Sequence, residues 1–350
     1  MLDEYLPEDI VYSILDRIPK KYLLRFQCVS KHSHRLISDF INSKSRRMIL
    51  LNEQQPFEVI NEHDNAILTV SPPCRIQQYY GDRNRIIGTL NGIVVMINAF
   101  DGDIILYYPF TGAVKNIPDT SCHDHSSRNF YAYGFGYGTT ADDLKIVMIH
   151  GSSNGYGSYS TTNFCDVFSL KTRSWNAISN LNSVYYFDGN YNDSVFVNGY
   201  LYWMVHDCRR RGVILALDLK NMIFSEIEFP CAQVKTCYLG TFKGSLCAIC
   251  LQTNNPKYEL WVIKGHGLKK SWSKVCSLTS LLEEKCISTF HRWNMLMCIL
   301  DEGKIVMDKN GDVIIYDMLN DSHKKVQTLT SRHYGLQAIE YVESCASLSL

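Results

Sequence analysis

The stretch Gly88–Pro118, GTLNGIVVMINAFDGDIILYYPFTGAVKNIP, decides the architecture of this chain. Asn91-Gly92 stands between apolar runs, and a tight hairpin turn needs the left-handed backbone that Asn and Gly tolerate. IVVMI then reads as a strand, Asp101-Gly102 as a second turn, DIILYY as a strand, Thr111-Gly112 as a third turn and VKNIP as a last short strand. The pattern returns. Asn198-Gly199 leads YLYWMVH, VILALDL, a turn at Lys220-Asn221 and MIFSEIEFP. Lys243-Gly244 leads SLCAICL, YELWVIK, a turn near Gly267 and SWSKVCSL. Glu302-Gly303 leads KIVMD, DVIIYDM, a turn near Asn320 and KVQTL, and a further unit lies in NFCDVFSLKTRSWNAI.

The third strands of these units align on Tyr107, Phe168, Leu217, Val262 and Tyr316, a spacing of about 50 residues with a glycine at the turn. That is the signature of a β-propeller. One blade cannot bury both of its faces, but stacked blades share a continuous core and ring closure removes the exposed edges. A C-terminal strand around Ala338 to Val342 is expected to close the ring by pairing with a strand near Phe57 to Val70. Five internal units and this closing blade give about six blades.

Upstream the periodicity is helical. In Glu4 to Asp39, Ile10, Val11, Ile14, Leu15 and Ile18 recur at helical spacing. Pro7 opens that helix, Glu8 and Asp9 sit against its positive end, and Pro19 stops it. Leu23, Leu24, Phe26 and Val29 make a second run, and Ser30 can cap a third helix carrying Leu36 and Ile37. Three short helices hold more apolar residues than they can hide, so part of this surface is meant for a partner.

The chain has 350 residues, zero formal net charge and a pI near 7.1. No bulk electrostatic attraction to nucleic acid or to an anionic membrane follows. Thirteen cysteines, an odd number, lie largely within apolar runs. No signal-peptide pattern and no membrane-length apolar run is present, so the reading is a reducing compartment, cytoplasm or nucleus, with cysteines as small buried hydrophobes.

The helical segment resembles the F-box, the adaptor-binding motif of cullin–RING ubiquitin ligases. The resemblance rests on Leu6-Pro7, Ile10, Ile14-Leu15, Ile18-Pro19, Leu23-Leu24-Arg25-Phe26, Cys28-Val29, Lys31 and Leu36-Ile37-Ser38. Many relatives carry Trp where this chain has Ser33. A second resemblance joins Tyr133-Gly134-Phe135-Gly136-Tyr137 and Asp142-Asp143-Leu144-Lys145-Ile146-Val147 to the plant F-box-associated domain, with Gly138 for the usual Asp and Leu144 for the usual Tyr. Asn198-Gly199-Tyr200-Leu201-Tyr202-Trp203 matches another element of that domain. In style the chain is similar to plant F-box/kelch-like proteins, including the S-locus F-box group.

The fold expected is therefore α+β and multidomain: a three-helix F-box over 1–45, a linker over 46–56 and an all-β, kelch-like propeller over 57–350. The resemblance implies a non-catalytic substrate receptor of an SCF-type (Skp adaptor–cullin–F-box) E3 ubiquitin ligase. It implies that Leu6, Pro7, Ile10, Ile14, Leu15, Ile18, Pro19, Leu23, Leu24, Phe26 and Val29 meet a Skp-type adaptor, and that propeller loops hold an unnamed target protein. No catalytic residue, cofactor, metal, nucleic acid or membrane partner is expected. The alternatives are a carbohydrate- or ligand-binding propeller without a ligase role, or a propeller enzyme.

Other motifs are weighed against packing. GFGYG lacks the spacing and the lysine of a phosphate loop, so its glycines mark close blade contact. Cys122-His123-Asp124-His125, with His150 as a possible neighbour, holds metal-type ligands in a loop. Cys247 and Cys250 sit on one strand and point to opposite faces. The five tryptophans, Trp175, Trp203, Trp261, Trp272 and Trp293, read as blade core, and Arg209-Arg210-Arg211 as a loop that could make a charged contact.

Overall fold

The computed structural model describes residues 7–15, 17–18, 20–43, 47–52, 57–61, 67–70, 85–97, 103–109, 112–118, 130–140, 142–151, 163–178, 181, 185–187, 194–231, 234–252, 257–264, 271–278, 294–309, 312–328 and 337–342. The chain begins with α1 (Glu8–Leu15), α2 (Lys20–Gln27) and α3 (Lys31–Ser43). The Pro7 carbonyl accepts from the Ile10 and Val11 N–H groups at 3.0 and 3.1 Å, so proline stands at the cap and α1 starts just after it. Ser30 caps α3 as its residue type predicts: its Oγ accepts from the Ser33 N–H at 3.0 Å. Leu15, Leu23, Ile37 and Phe40 form the core of this domain, with the Tyr12 ring tilted on Phe40 at 5.6 Å between centroids.

The strands are β1 (Arg47–Asn52), β2 (Phe57–Asn61), β3 (Ile67–Val70), β4 (Arg85–Leu90), β5 (Ile93–Ile97), β6 (Ile104–Tyr108), β7 (Ala113–Asn116), β8 (Phe130–Tyr137), β9 (Leu144–Gly151), β10 (Asn163–Ser169), β11 (Ser174–Ile178) and β12 (Val195–Val197). They continue as β13 (Tyr200–His206), β14 (Gly212–Asp218), β15 (Ile223–Ile227), β16 (Val234–Phe242), β17 (Ser245–Gln252), β18 (Tyr258–Lys264), β19 (Ser271–Leu278), β20 (Asn294–Leu300), β21 (Lys304–Lys309), β22 (Asp312–Asp317), β23 (Ser322–Thr328) and β24 (Gln337–Val342). Among the described residues they make six four-stranded sheets. Five are sequential meanders, and the sixth has the order β24-β1-β2-β3. The innermost strands touch in a ring: β24, β4, β8, the β12–β13 hairpin, β16, β20 and back to β24.

The closing sheet corrects two expectations. Residues 46–56 are not simply linker, because Arg47–Asn52 is a full strand. The C-terminal strand does pair with N-terminal chain, but with β1 and not with Phe57 to Val70; the register runs from Arg47↔Val342 to Asn52↔Gln337. The physical reason is the run Met48-Ile49-Leu50-Leu51, four apolar residues that need a sheet, masked in the sequence by the basic residues ahead of it. The turns at Asn91-Gly92 and Asn198-Gly199 are as read, with both residues of each pair at positive φ. Those at Asp101-Gly102 and near Gly267 lie outside the described residues.

Burial explains the composition of the blades. β5 (IVVMI) and β6 (IILYY) are buried at every position, because a middle strand is covered by blades on both sides. The outer strand β7 (AVKN) alternates half-buried and exposed. Polar pegs cross between blades. The buried Trp203 indole N–H donates to the Tyr133 carbonyl at 2.9 Å, Trp175 to the Pro118 carbonyl at 2.8 Å and Trp272 to the Glu228 carbonyl at 2.9 Å. Trp175 and Trp272 occupy equivalent outer strands, so one device recurs around the ring. At closure the Gln337 amide accepts from the Ile86 N–H and donates to its carbonyl, at 2.9 and 2.6 Å.

Inner-strand glycines allow the blades to approach. A Cβ on Gly136 would fall 2.4 Å from Phe196 Cδ2, and one on Gly240 would fall 2.4 Å from Ile299 Cβ. The second contact is the harder one, since a Cβ cannot swing away without its strand. Gly240→Ala is therefore expected to cost about 1–3 kcal/mol through overpacking, read as a lower urea midpoint. Gln337→Ala removes two bonds from a buried backbone and should cost about 1–3 kcal/mol by the same measurement, with an unchanged m value.

Candidate docking surfaces

The helices place the residues singled out from sequence in two groups. Leu15 and Leu23 are 7% and 1% exposed and belong to the domain's own core. Ile18 packs against that core from its edge. The outward group is Ile10 (45% exposed), Ile14 (47%), Phe26 (45%) and Val29 (72%), with Pro7 also exposed. Ile10 and Ile14 are one helical turn apart on α1, and Tyr22 and Phe26 are one turn apart on α2, so each helix shows a short apolar stripe to the outside. The side chain of Leu24 in α2, and Leu6 and Pro19 altogether, lie outside the described residues.

The helices also form an open apolar groove lined by Val11, Leu15, Ile18, Phe26, Val29, Ser33, Leu36 and Ile37. Ser33 is the one polar side chain in that lining. Val11, Ser33, Leu36 and Ile37 were not among the residues assigned to a contact from sequence. Their helical spacing, each one turn from a core residue, carried the signal.

On the propeller, strand direction separates two faces. Within each antiparallel blade the second-to-third connection and the fourth strand's exit leave from one face, and the first-to-second turn leaves from the other. The second face holds short turns such as Asn91-Gly92, Asn198-Gly199 and Lys243-Gly244. At the first face lie the ends of β3, β7, β11 and β19, where the sequence runs from Ser71, Ile117, Ser179 and Thr279 before the next strand begins at Arg85, Phe130, Val195 and Asn294. Function on a propeller accumulates where connections are long, because sequence there is released from the ladder.

Two polar constellations stand at this first face. Buried Asp207 accepts from the Arg209 and Arg211 N–H groups at 2.8 Å each and from Arg211 Nε at 2.8 Å. Burial acts to raise its pKa, but the Arg211 and Arg209 hydrogen bonds and the Arg211 charge outweigh it and hold the carboxyl below its ordinary value. Arg210 lies over the Tyr186 ring at 5.1 Å. The three-arginine tip is thus a shaped loop and not a free charge run. On the neighbouring blade, His150 Nε2 meets buried Asp166 Oδ2 at 2.9 Å, and the imidazole stacks on half-exposed Phe164 at 5.5 Å. Cys122 to His125, the metal-type ligands noted beside His150, lie outside the described residues. The GFGYG glycines are inter-blade spacers, as read: a Cβ on Gly134 would meet Leu201 and Trp203 of the next blade at 2.7 and 2.9 Å. Among the described residues no helix is long and apolar enough to cross a membrane.

Comparison with known proteins agrees with both halves. The F-box domain family matches residues 4–44, and the F-box associated beta propeller domain family matches residues 44–348. Among curated proteins of Arabidopsis thaliana, the chain is similar to F-box protein CPR1, at 27% identity over 93% of this chain and 84% of that protein. It is similar to F-box protein At3g07870 at 27% over 90% of this chain and 85% of that protein. It also resembles F-box/kelch-repeat protein At3g23880, at 23% over 79% of this chain and 80% of that protein. The helical domain, the six-bladed ring and a family match over most of its length together mean that this chain belongs to the F-box proteins with an F-box-associated β-propeller domain.

Proposed function

We propose that this chain is the substrate-recognition subunit of an SCF-type ubiquitin ligase. The F-box docks on a Skp-type adaptor through Ile10, Ile14, Phe26 and Val29, with Pro7 at the edge, and Leu6, Pro19 and Leu24 complete the contact. Leu15, Ile18 and Leu23 act from beneath, holding the helices in the geometry that keeps those side chains outside. The long-connection face of the propeller holds the target protein, and the Arg209–Arg211 tip offers it a fixed positive contact. Transfer of ubiquitin takes place on other subunits, in the cytoplasm or the nucleus. The chain contributes proximity, which turns an encounter between target lysine and charged carrier into an effectively intramolecular step.

One observation supports this reading above others: the F-box helices have a core of their own in Leu15, Leu23, Ile37 and Phe40, and large aliphatic and aromatic side chains remain outside it on two adjoining helices. Exposed apolar area of this kind is a cost in water unless another protein covers it.

The two groups of residues separate in experiment. Ile10→Ala with Ile14→Ala should weaken adaptor binding roughly 10- to 1,000-fold, read by titration calorimetry, while leaving the urea midpoint of the full chain nearly unchanged. Leu23→Ala removes a side chain that is 1% exposed, and should instead destabilise the helical domain by about 2–5 kcal/mol. Wild-type adaptor affinity in the double variant would overturn the proposed contact. For the target face, Arg209→Glu with Arg210→Glu should reduce the set of proteins recovered by proximity labelling without reducing recovery of adaptor.

A further inference from the structure

Three cysteines, Cys231, Cys237 and Cys250, come together at the fourth meander, β16 to β19. Cys237 on β16 and Cys250 on β17 are direct cross-strand partners. Their Sγ atoms are 3.0 Å apart, well inside ordinary sulfur–sulfur contact, and the residues are 4% and 0% exposed. Cys231, in the connection that enters β16, is half-buried and packs against the cluster formed by Cys237, Ala248 and Cys250. Cys247, three positions from Cys250, faces the other side of the sheet and packs with Ile249 and Ile299. The pair suggested by spacing is thus not the pair formed in space.

Directly opposed residues on antiparallel strands have Cα atoms about 4.5–5.5 Å apart, which falls within the range a disulfide spans. Cys237 and Cys250 can therefore be bonded by side-chain rotation alone. Among the described residues no three His, Cys, Asp or Glu side chains are arranged to hold a metal ion, so bond formation between the sulfurs is the chemistry that this cluster favours.

We propose that Cys231, Cys237 and Cys250 form an oxidation site, in which hydrogen peroxide enters at Cys231 and the product is a Cys237–Cys250 disulfide. The Cys231 thiolate attacks one peroxide oxygen. The O–O bond breaks, hydroxide leaves, and Cys231 becomes a sulfenic acid. The Cys250 thiol displaces that oxygen as water, forming a Cys231–Cys250 disulfide. Cys237 then attacks the Cys250 sulfur, and the Cys231 thiol is released. In sum, two thiols and one peroxide give one disulfide and two waters, with two electrons passing from sulfur to oxygen. Cys231 is the gate because it alone of the three is partly open, while Cys250 is closed to any oxidant from solution.

The same environment makes the site slow. Burial, with Cys250 beside it, pushes the Cys231 thiol up to about 11, and the hydrogen bond with Cys237 together with burial raises Cys250 as well. Little thiolate is present at neutral pH, so the site answers sustained oxidant and not brief exposure. The crosslink joins the innermost strand of the blade to its neighbour, toward the end where β16 begins and β17 finishes.

The test uses the full chain, reduced, freed of reductant and incubated with hydrogen peroxide at pH 8. Remaining thiols are then alkylated under denaturing conditions, and the protein is digested with trypsin without reduction. The expected product is the peptide 236–243 linked to 244–257, with fragmentation placing the bond on Cys250 and not on Cys247. In Cys231→Ser the link should form at least several-fold more slowly. A mutation-free check is wild-type protein given peroxide together with dimedone, which should label Cys231 before the crosslink appears. Fully alkylated Cys237 and Cys250, under conditions that oxidise the exposed Cys28 and Cys208, would overturn the site. An unchanged rate in Cys231→Ser, or dimedone on Cys250 first, would overturn the role of Cys231 as the gate.

Discussion

Ring closure between the two ends of the chain is the constraint on which the structure depends. Six residue pairs join β1 to β24, from Arg47↔Val342 to Asn52↔Gln337. Without this ladder, β24 and the β1–β3 sheet would each present an unpaired edge, and the ring would stop at five complete blades. The ladder spans almost the whole propeller sequence, so its loop-closure entropy must be met before its hydrogen bonds form. Gln337 and Tyr341, on β24 itself, tie the ladder to the neighbouring blade by binding the Ile86 backbone and the Gly92 carbonyl. Only three residues separate α3 from β1, so the helical domain is attached at the blade that locks the ring.

Inside the ring the blades divide their tasks by strand. Middle strands supply nearly unbroken apolar runs, because both of their faces are covered. Inner strands place glycine where the next blade's side chains press closest, as Gly136 does against Phe196. Outer strands carry indole N–H groups that reach a carbonyl of the preceding blade, at Trp175 and Trp272. Short turns on one face hold the register, which leaves the connections on the other free to differ in length and chemistry. The same scaffold can thus vary one surface while its core stays within tight limits.

The helical domain shows how a single periodic pattern serves two purposes. Residues at i, i+3, i+4 and i+7 cover more of a short helix than its two neighbours can enclose. Leu15 and Leu23 turn inward and fill the core, whereas Ile10, Ile14 and Phe26 remain outside. An inward residue packs the core and an outward one stays at the surface, even when the two are adjacent, as Ile14 and Leu15 are. Periodicity alone cannot divide them, since both belong to the same greasy arc.

By itself the sequence determined the kinds of element, their repeat, the blade turns and the family, because each is written in residues that lie near one another. Asn-Gly and Lys-Gly pairs mark hairpins, apolar runs mark covered strands, and the helical motif spans a single short segment. Tertiary structure decided which partners meet across distance. The Met48–Leu51 run lies between β2 and β24, and Cys250 stands beside Cys237 and Cys231 rather than Cys247. The inward or outward sense of each F-box leucine and isoleucine was likewise settled by packing among three helices. Local spacing sets which face a side chain occupies, but only the folded ring and the assembled helices say what stands opposite it.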